Sequence, residues 1–191
     1  MVIPIADAVT DYTESKLETE GDYATEQESS DAFLSAITAT ECFTIYQQVN
    51  GWYFGASAFG DKATGIIDFV LTPKKKLIDK GWAMGCVGVE VKKSGHKAGP
   101  LICQMIDYSK AVFRLPETSG SVLVCMTAIC AFPAFDTFGA IQSVLANHRC
   151  GVVNIAGGGL ALKVANTNIF DSRYGQISVK GIACGYKNGS R

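Results

Sequence analysis

Short apolar runs, ended by glycine, proline or charged residues, divide most of the chain into segments of helix or strand length. Large apolar residues recur every four positions over residues 28–49, which predicts a helix with Glu41 on its apolar face. Proline at a permitted first-turn position opens a second predicted helix, Pro100 to Phe113. Strands are predicted for four runs rich in β-branched and aromatic residues: Trp52 to Phe59, Gly65 to Leu71, Gly85 to Lys92 and Ser121 to Phe132.

The pattern after residue 132 predicts additional elements rather than a second core. Thr137 to His148 is predicted as a helix and Gly151 to Ala156 as a strand. Polar and apolar residues alternate over Leu160 to Ala165 and again over Gln176 to Ile182, which is typical of two further strands. We therefore interpret residues 133–191 as a β-rich extension of the same domain.

Two carboxylates interrupt the apolar runs. Asp68 lies inside the run GIIDFVL, and Glu90 lies near the end of GVGVEVKK. Burying either carboxylate is costly unless it finds a partner. Lys92 is two residues beyond Glu90, so both side chains project from the same side of a strand. Two carboxylates beside an ammonium group predict a site for Mg²⁺ or Mn²⁺, which prefer oxygen ligands.

The order and spacing of these residues resemble the PD-(D/E)XK nuclease superfamily, which has the restriction-endonuclease-like fold. Members carry an Asp on one strand of a hairpin and a Glu-x-Lys or Asp-x-Lys on the next, and here Asp68 and Glu90-Val91-Lys92 match. The proline of the family name is absent, because Ile67 precedes Asp68.

A second part of the resemblance lies in the helix that follows. Gln104-x-x-x-Tyr108 is similar to the helical Gln-x-x-x-Tyr motif of the RecB-like and lambda-exonuclease-like branches. Residues four apart share one face of a helix, so Gln104 and Tyr108 are expected to point the same way. In total, the resemblance covers about residues 28–132.

The resemblance implies both a fold and an activity. The implied fold is α/β, with an αβββαβ core whose mixed central sheet is flanked by helices, followed by the β-rich extension. The implied activity is metal-dependent hydrolysis of phosphodiester bonds in nucleic acid, with DNA expected rather than RNA. A catalytically inactive nucleic-acid-binding or protein-interaction module on the same fold is the alternative, since fold does not imply activity.

Each site residue has an expected role under this resemblance. Asp68, Glu90 and the carbonyl of Val91 would hold Mg²⁺ or Mn²⁺, and Glu41 would join them from the N-terminal helix. The catalytic residues would be these ligands together with Lys92, Gln104 and Tyr108. Nucleic-acid contacts are expected from two basic clusters: Lys74, Lys75 and Lys76 in the loop of the hairpin, and Lys93, His96 and Lys97 before the second helix.

Charge is distributed unevenly along the chain, although the net charge of 191 residues is only −1. Residues 1–31 hold nine acidic residues and a single base, Lys16. The rest of the chain holds nine acidic residues and 16 basic ones, a net charge of +7. A basic body fits a polyanionic ligand, although an ordinary charged surface is the competing interpretation.

Length and composition predict one domain over residues 26–191, preceded by an acidic segment, 1–25, whose few large apolar residues are typical of flexible chain. No apolar run reaches the length of a membrane-spanning helix. Seven scattered cysteines, an odd number, are typical of reduced thiols in a cytoplasmic protein. We therefore expect a cytoplasmic location and no membrane partner. The sequence leaves homo-oligomerisation open.

Overall fold

The computed structural model describes residues 21–54, 62–117, 119–135, 139–165 and 167–180. These residues form an α/β structure with four helices and nine strands. The helices are α1 (Glu26–Ala39), α2 (Lys75–Ile78), α3 (Ala98–Tyr108) and α4 (Gly139–Asn147). The strands are β1 (Phe43–Phe54), β2 (Lys62–Pro73), β3 (Cys86–Val91), β4 (Val112–Glu117), β5 (Gly120–Phe132), β6 (Cys150–Ala156), β7 (Gly159–Val164), β8 (Thr167–Asp171) and β9 (Ser178–Val179).

The first helix is shorter than the periodicity predicts. α1 begins after the N-cap Thr25, whose side chain forms a capping box with Glu28, and it ends at Ala39. The prediction of a helix to residue 49 was wrong, because the chain from Phe43 onwards pairs with β2 as an antiparallel strand. Phe43–Phe54 is rich in aromatic and β-branched residues, which favour a strand once a partner is present.

The second helix is also shorter than predicted. α3 ends at Tyr108 instead of Phe113, and Val112–Glu117 forms β4, a strand that the sequence analysis missed. Phe113 is fully buried against the sheet, so tertiary packing overrides the helical pattern at this point. The predicted strand Trp52 to Phe59 is β1 up to Phe54, and residues 55–61 lie outside the described part of the chain.

All nine strands belong to one mixed sheet, in the order β3-β2-β1-β4-β5-β6-β7-β8-β9. β3 also pairs with β5, so strands β1 to β5 form a closed ring within the sheet. β3, β5 and β6 are parallel to one another, while the other neighbouring pairs are antiparallel. The parallel step from β3 to β5 passes through α3, as a parallel connection requires.

Helices cover both faces of the sheet, and each face has its own apolar core. On the α1 face, Phe33 and Ile37 of α1 pack with Val89 and Val91 of β3. On the α3 face, Met105 and neighbouring residues of α3 pack with strands of the ring. Side chains alternate along a strand, so Glu90 faces α3 because its neighbours Val89 and Val91 face α1.

The extension adds strands to the same sheet. The predicted helix Thr137 to His148 corresponds to α4, and its residues 137 and 138 lie outside the described part of the chain. The predicted strand Gly151 to Ala156 is β6. Leu160 to Ala165 corresponds to β7, whereas β8 was missed. Gln176 to Ile182 contains the two-residue strand β9, and residues beyond 180 lie outside the described chain.

The described end of the acidic segment is attached to the loop after β3. The backbone N–H of Tyr23 donates to Ser94 Oγ at 2.8 Å, and Ser94 N donates to the carbonyl oxygen of Tyr23 at 2.9 Å. Residues 1–20 of the predicted acidic segment lie outside the described residues. Among the helices described, none has the length and apolar character that crossing a membrane requires.

Closure of the ring depends on a close approach at Gly51, and we expect Gly51→Ala to destabilise the protein. A Cβ at this position would lie 2.5 Å from Cδ1 of the fully buried Phe113 ring on β4. Overpacking of this kind should lower the free energy of unfolding by about 1–3 kcal/mol. Chemical denaturation of Gly51→Ala measures it, with Gly99→Ala as control, because a Cβ at Gly99 has open space. Equal stability of the two variants would contradict this packing.

Candidate active site

Asp68 lies where β2 separates from β3. The last paired residues of the two strands are Phe69 and Val89, so the next backbone positions do not pair. The Asp68 side chain fills the gap: its Oδ2 accepts a hydrogen bond from the Val91 N–H at 2.7 Å. Its Oδ1 accepts another from Gln48 Nε2 at 2.9 Å. Asp68 therefore joins β2 to the end of β3 and keeps its carboxylate beside Glu90.

Glu90 is the most deeply buried acidic residue of the described chain, with 3% of its side chain exposed. Its Oε1 accepts hydrogen bonds from Lys92 Nζ at 2.8 Å and from Gln104 Nε2 at 2.7 Å. Its Oε2 is buried and has no hydrogen bond of good geometry among the described residues, although the backbone N–H of Asp68 is close enough to favour the ionised carboxylate. Burial, with a further contribution from the nearby Asp68 charge, raises the pKa of Glu90 to about 7.

Lys92 places a positive charge next to these carboxylates. Its Nζ lies 2.8 Å from Glu90 Oε1 and 3.9 Å from Oε1 of Glu26, at the start of α1. Burial alone would lower the pKa of Lys92, but the hydrogen bond and charge of Glu90 outweigh it, so the pKa is raised. The ammonium group is therefore protonated at neutral pH and remains partly accessible to a ligand, with 24% of the side chain exposed.

Gln104 and Tyr108 of α3 extend the hydrogen-bond network to β2. Gln104 Nε2 donates both to Glu90 Oε1 and to the Tyr108 hydroxyl, the latter at 3.0 Å. The Tyr108 hydroxyl in turn donates to the carbonyl oxygen of Ile66 at 2.8 Å. Tyr108 thereby fixes α3 against β2, and this position of the helix keeps the Gln104 amide on Glu90.

Gln48 is a site residue that the sequence analysis missed. It lies in β1 opposite Asp68 and has a positive φ of 50°, an uncommon conformation for a residue other than glycine. This local distortion of β1 directs the side-chain amide of Gln48 at Asp68. No sequence motif marks Gln48, and the predicted helix over residues 28–49 hid its position on a strand.

Glu41 does not lie where the sequence predicted it. The residue follows α1 instead of lying on its apolar face, has a φ of 55°, and is exposed. Its carboxylate lies 3.6 Å from Lys76 Nζ, near the end of β2 that is remote from Asp68. The expected role of Glu41 as a metal ligand is therefore wrong. The acidic residue that α1 brings closest to Lys92 is Glu26.

The two basic clusters lie at different ends of the β2–β3 hairpin. Lys74, Lys75 and Lys76 lie at the start of α2, roughly 20 Å along β2 from Asp68, and the structure does not bring them to the site. Lys93, His96 and Lys97 lie in the loop between Lys92 and α3, which follows the end of β3 that carries Glu90. The second cluster is thus placed for contacts with a ligand at the site, and the first is not.

The residues at this site fit a divalent ion bound with few protein ligands. Glu90 Oε2 is a buried carboxylate oxygen that lacks a partner, and Asp68 lies beside it. Val91 donates its N–H to Asp68, and its carbonyl faces the same edge of the strand. No group of three or more His, Cys, Asp or Glu side chains suited to a metal occurs in the described part of the chain. Mg²⁺ commonly uses one or two carboxylates, with water and substrate phosphate as further ligands.

Comparison of the chain with protein-family models, with curated proteins and with solved structures finds no match. Any functional assignment therefore depends on the residues and geometry of the site itself. The features available are the pair Asp68 and Glu90, the adjacent Lys92, and the amide and hydroxyl groups of α3.

The raised pKa of Glu90 predicts a specific pH dependence of stability in metal-free buffer. The unfolded chain loses this proton near pH 4.5, whereas the folded protein keeps it until about pH 7. The free energy of unfolding should therefore fall as pH rises through this window, by roughly 3 kcal/mol for this group. Glu90→Gln should lack this fall and should be more stable than wild type above pH 7. Denaturation with chelator present tests this, and identical pH profiles for the two proteins would contradict it.

Proposed function

We propose that the chain is a metal-dependent nuclease that hydrolyses phosphodiester bonds of nucleic acid, with DNA as the expected substrate. One observation carries the proposal. The unpartnered oxygen of Glu90 lies in a buried site near Asp68, and Lys92, directly after β3, hydrogen-bonds to the same carboxylate. Two carboxylates with an adjacent ammonium group suit hydrolysis of a phosphate ester through a bound divalent ion.

The arrangement of elements supports a restriction-endonuclease-like core, which is part of the proposal. Strands β1, β2 and β3 are consecutive and antiparallel, and α3 then connects β3 to the parallel strand β5. With α1 in front, this gives the αβββαβ order. β4 is an additional strand between α3 and β5, and it pairs with β5 and β1.

Asp68, Glu90 and the Val91 carbonyl would hold Mg²⁺ or Mn²⁺. When bound, the ion polarises the scissile phosphate and lowers the pKa of the attacking water. Glu90 must lose its proton to act as a ligand, and its pKa of about 7 means that this occurs near neutral pH. Metal affinity should therefore increase as pH rises through 7.

Lys92, Gln104 and Tyr108 supply the remaining interactions. The Lys92 ammonium group is fixed by Glu90 at 2.8 Å, so it is already in place when negative charge develops on the phosphate oxygens. Gln104 donates to the same Glu90 oxygen and so leaves Oε2 for the metal. Tyr108 accepts a hydrogen bond from Gln104 through its hydroxyl and so positions that amide.

A nucleic-acid substrate is consistent with the charge of the chain. Outside residues 1–31 there are 16 basic and nine acidic residues. Lys93 and Lys97 follow β3 directly and lie exposed at the site, where a phosphate backbone would pass. A catalytically inactive binding module on the same fold would use the same basic surface, so cleavage has to be measured separately from binding.

Metal binding provides the first test of the proposed site. Wild type should bind Mn²⁺ in titration calorimetry, and Asp68→Ala should bind it at least tenfold more weakly because one of two carboxylates is lost. Asp79→Ala is the matched control, since Asp79 is exposed beside α2 and pairs with Lys75. The proposed centre is wrong if Asp68→Ala and Asp79→Ala both bind Mn²⁺ as wild type does.

Lys92→Ala should nearly abolish cleavage while leaving substrate binding largely intact. The charge of Lys92 matters most in the transition state, so the loss should fall on turnover, by on the order of 10²-fold or more. Lys80→Ala is the control, because Lys80 is exposed and lies between α2 and β3, at the opposite end of β3 from Glu90. Single-turnover cleavage, with binding measured in Ca²⁺, separates the two effects. Wild-type cleavage by Lys92→Ala would contradict the proposed role.

A further inference from the structure

Buried polar atoms without partners occur on elements at one end of the sheet, where the parallel strands β3 and β6 finish. The described residues contain three such side-chain atoms: Glu90 Oε2, His96 Nε2 and Asn154 Oδ1. Such atoms are rare in folded proteins, because a buried polar group that lacks a hydrogen bond is unfavourable. Glu90 Oε2 belongs to the proposed metal site, but the nuclease proposal uses neither His96 Nε2 nor Asn154 Oδ1.

Asn154 lies on the same face of the sheet as Glu90 and near the same end of the strands. Its neighbour Val153 packs in the core of the α1 face, so the Asn154 side chain points to the α3 face. In the parallel strands, Glu90 pairs with Ala131, and Ala131 pairs with Val152. Asn154 is two residues beyond Val152, towards the carboxyl ends of these strands. Strand spacings place its Cα about 12 Å from that of Glu90.

His96 lies at this same end of the sheet, in the loop that follows β3. Its Nδ1 is 3.1 Å from the carbonyl oxygen of Lys93. A carbonyl oxygen only accepts, so Nδ1 carries a proton, and in this tautomer Nε2 is an acceptor. The imidazole ring packs edge-on against Phe135, which follows β5, with 5.5 Å between the ring centres. Phe135 packs against the core of the α3 face.

We infer that His96, Phe135 and Asn154 form a subsite for an unpaired nucleobase beside the catalytic centre. Both unpartnered atoms are acceptors, so they suit a ligand that presents N–H donors, as the hydrogen-bonding edge of a base does. Phe135 provides an aromatic surface for the base. The subsite lies at the carboxyl ends of β3, β5 and β6, the usual position of ligands in parallel sheets.

The position of the subsite relative to Glu90 specifies which class of substrate the proposed nuclease would take. The inference rests on that proposed function. A nucleotide whose phosphate lies at Asp68 and Glu90 can reach towards Asn154 with its base. In a duplex, the donors on this edge of the base are used in pairing, so the base bound here must be unpaired. The structure thus assigns single-stranded or locally unwound nucleic acid as the substrate class.

The test is cleavage of a single-stranded DNA oligonucleotide in which an abasic nucleotide is moved one position at a time past the cleaved bond. For wild type, the abasic nucleotide should slow single-turnover cleavage by tenfold or more at one particular position. The double variant His96→Phe, Asn154→Leu should cut the intact and abasic oligonucleotides at the same rate. The control variant Asn147→Leu, His148→Phe, which lies before β6 at the opposite edge, should retain the wild-type difference.

Two further measurements keep the outcomes separate. Fluorescence anisotropy of the same oligonucleotides in Ca²⁺ reports base-dependent binding without cleavage. Base-dependent binding with no cleavage would support the subsite and refute the nuclease. Cleavage at equal rates for intact and abasic DNA would refute the subsite and support the nuclease. Thermal unfolding of the double variant should show at most a small loss of stability. The two substitutions remove two unpartnered buried acceptors, which is favourable, and lose one hydrogen bond, from His96 Nδ1 to the Lys93 carbonyl oxygen. Unfolding at a clearly lower temperature would indicate that His96 and Asn154 are structural and would overturn the inference.

Discussion

The burial of Glu90 is the constraint on which the structure of this site depends. In a glutamate residue that is only 2% exposed, each carboxylate oxygen would normally be hydrogen-bonded, yet here only Oε1 has hydrogen bonds of good geometry. Lys92 and Gln104 satisfy that one oxygen, and the Asp68 charge disfavours ionisation. The site is therefore least stable where the carboxylate is ionised, near and above neutral pH. A divalent cation at Oε2 would offset the charge of the ionised carboxylate and so remove this loss of stability. This is the physical reason for proposing that the unpartnered oxygen is functional.

The fold places this carboxylate through a small number of contacts. β3 is central in the sheet, between β2 and β5, and its valines hold the α1 face. The end of β3 is held by Asp68, which replaces a strand pairing with a side-chain hydrogen bond to Val91. On the other face, Tyr108 fixes α3 to the Ile66 carbonyl and so holds Gln104 on Glu90. The site thus lies where three elements meet, each attached by a specific polar contact.

Much of this could be predicted from the sequence because the signals were local. Asp68 and Glu90 stand out as carboxylates in apolar runs, the i,i+2 spacing gives Lys92, and the i,i+4 spacing gives Gln104 and Tyr108. The structure brings these five residues into one network. Residues whose position depends on distant pairing were not predictable. Gln48 reaches Asp68 only because β1 is a strand with a local distortion, and the four-residue periodicity favoured a helix there.

The predicted position of Glu41 was wrong for the same reason. The strand β4 was missed because Phe113 continues the apolar pattern of α3.

The central claim is that Asp68, Glu90 and Lys92 form a catalytic centre for phosphodiester hydrolysis. The most direct measurement is the Mn²⁺-dependent cleavage of labelled DNA and RNA by purified wild type and by Glu90→Gln, prepared in parallel. The account predicts that wild type cleaves nucleic acid in the presence of Mn²⁺ and that chelating the metal stops this cleavage. It also predicts that Glu90→Gln does not cleave. Equal activity of the two proteins, or no cleavage of any substrate by wild type, would contradict it.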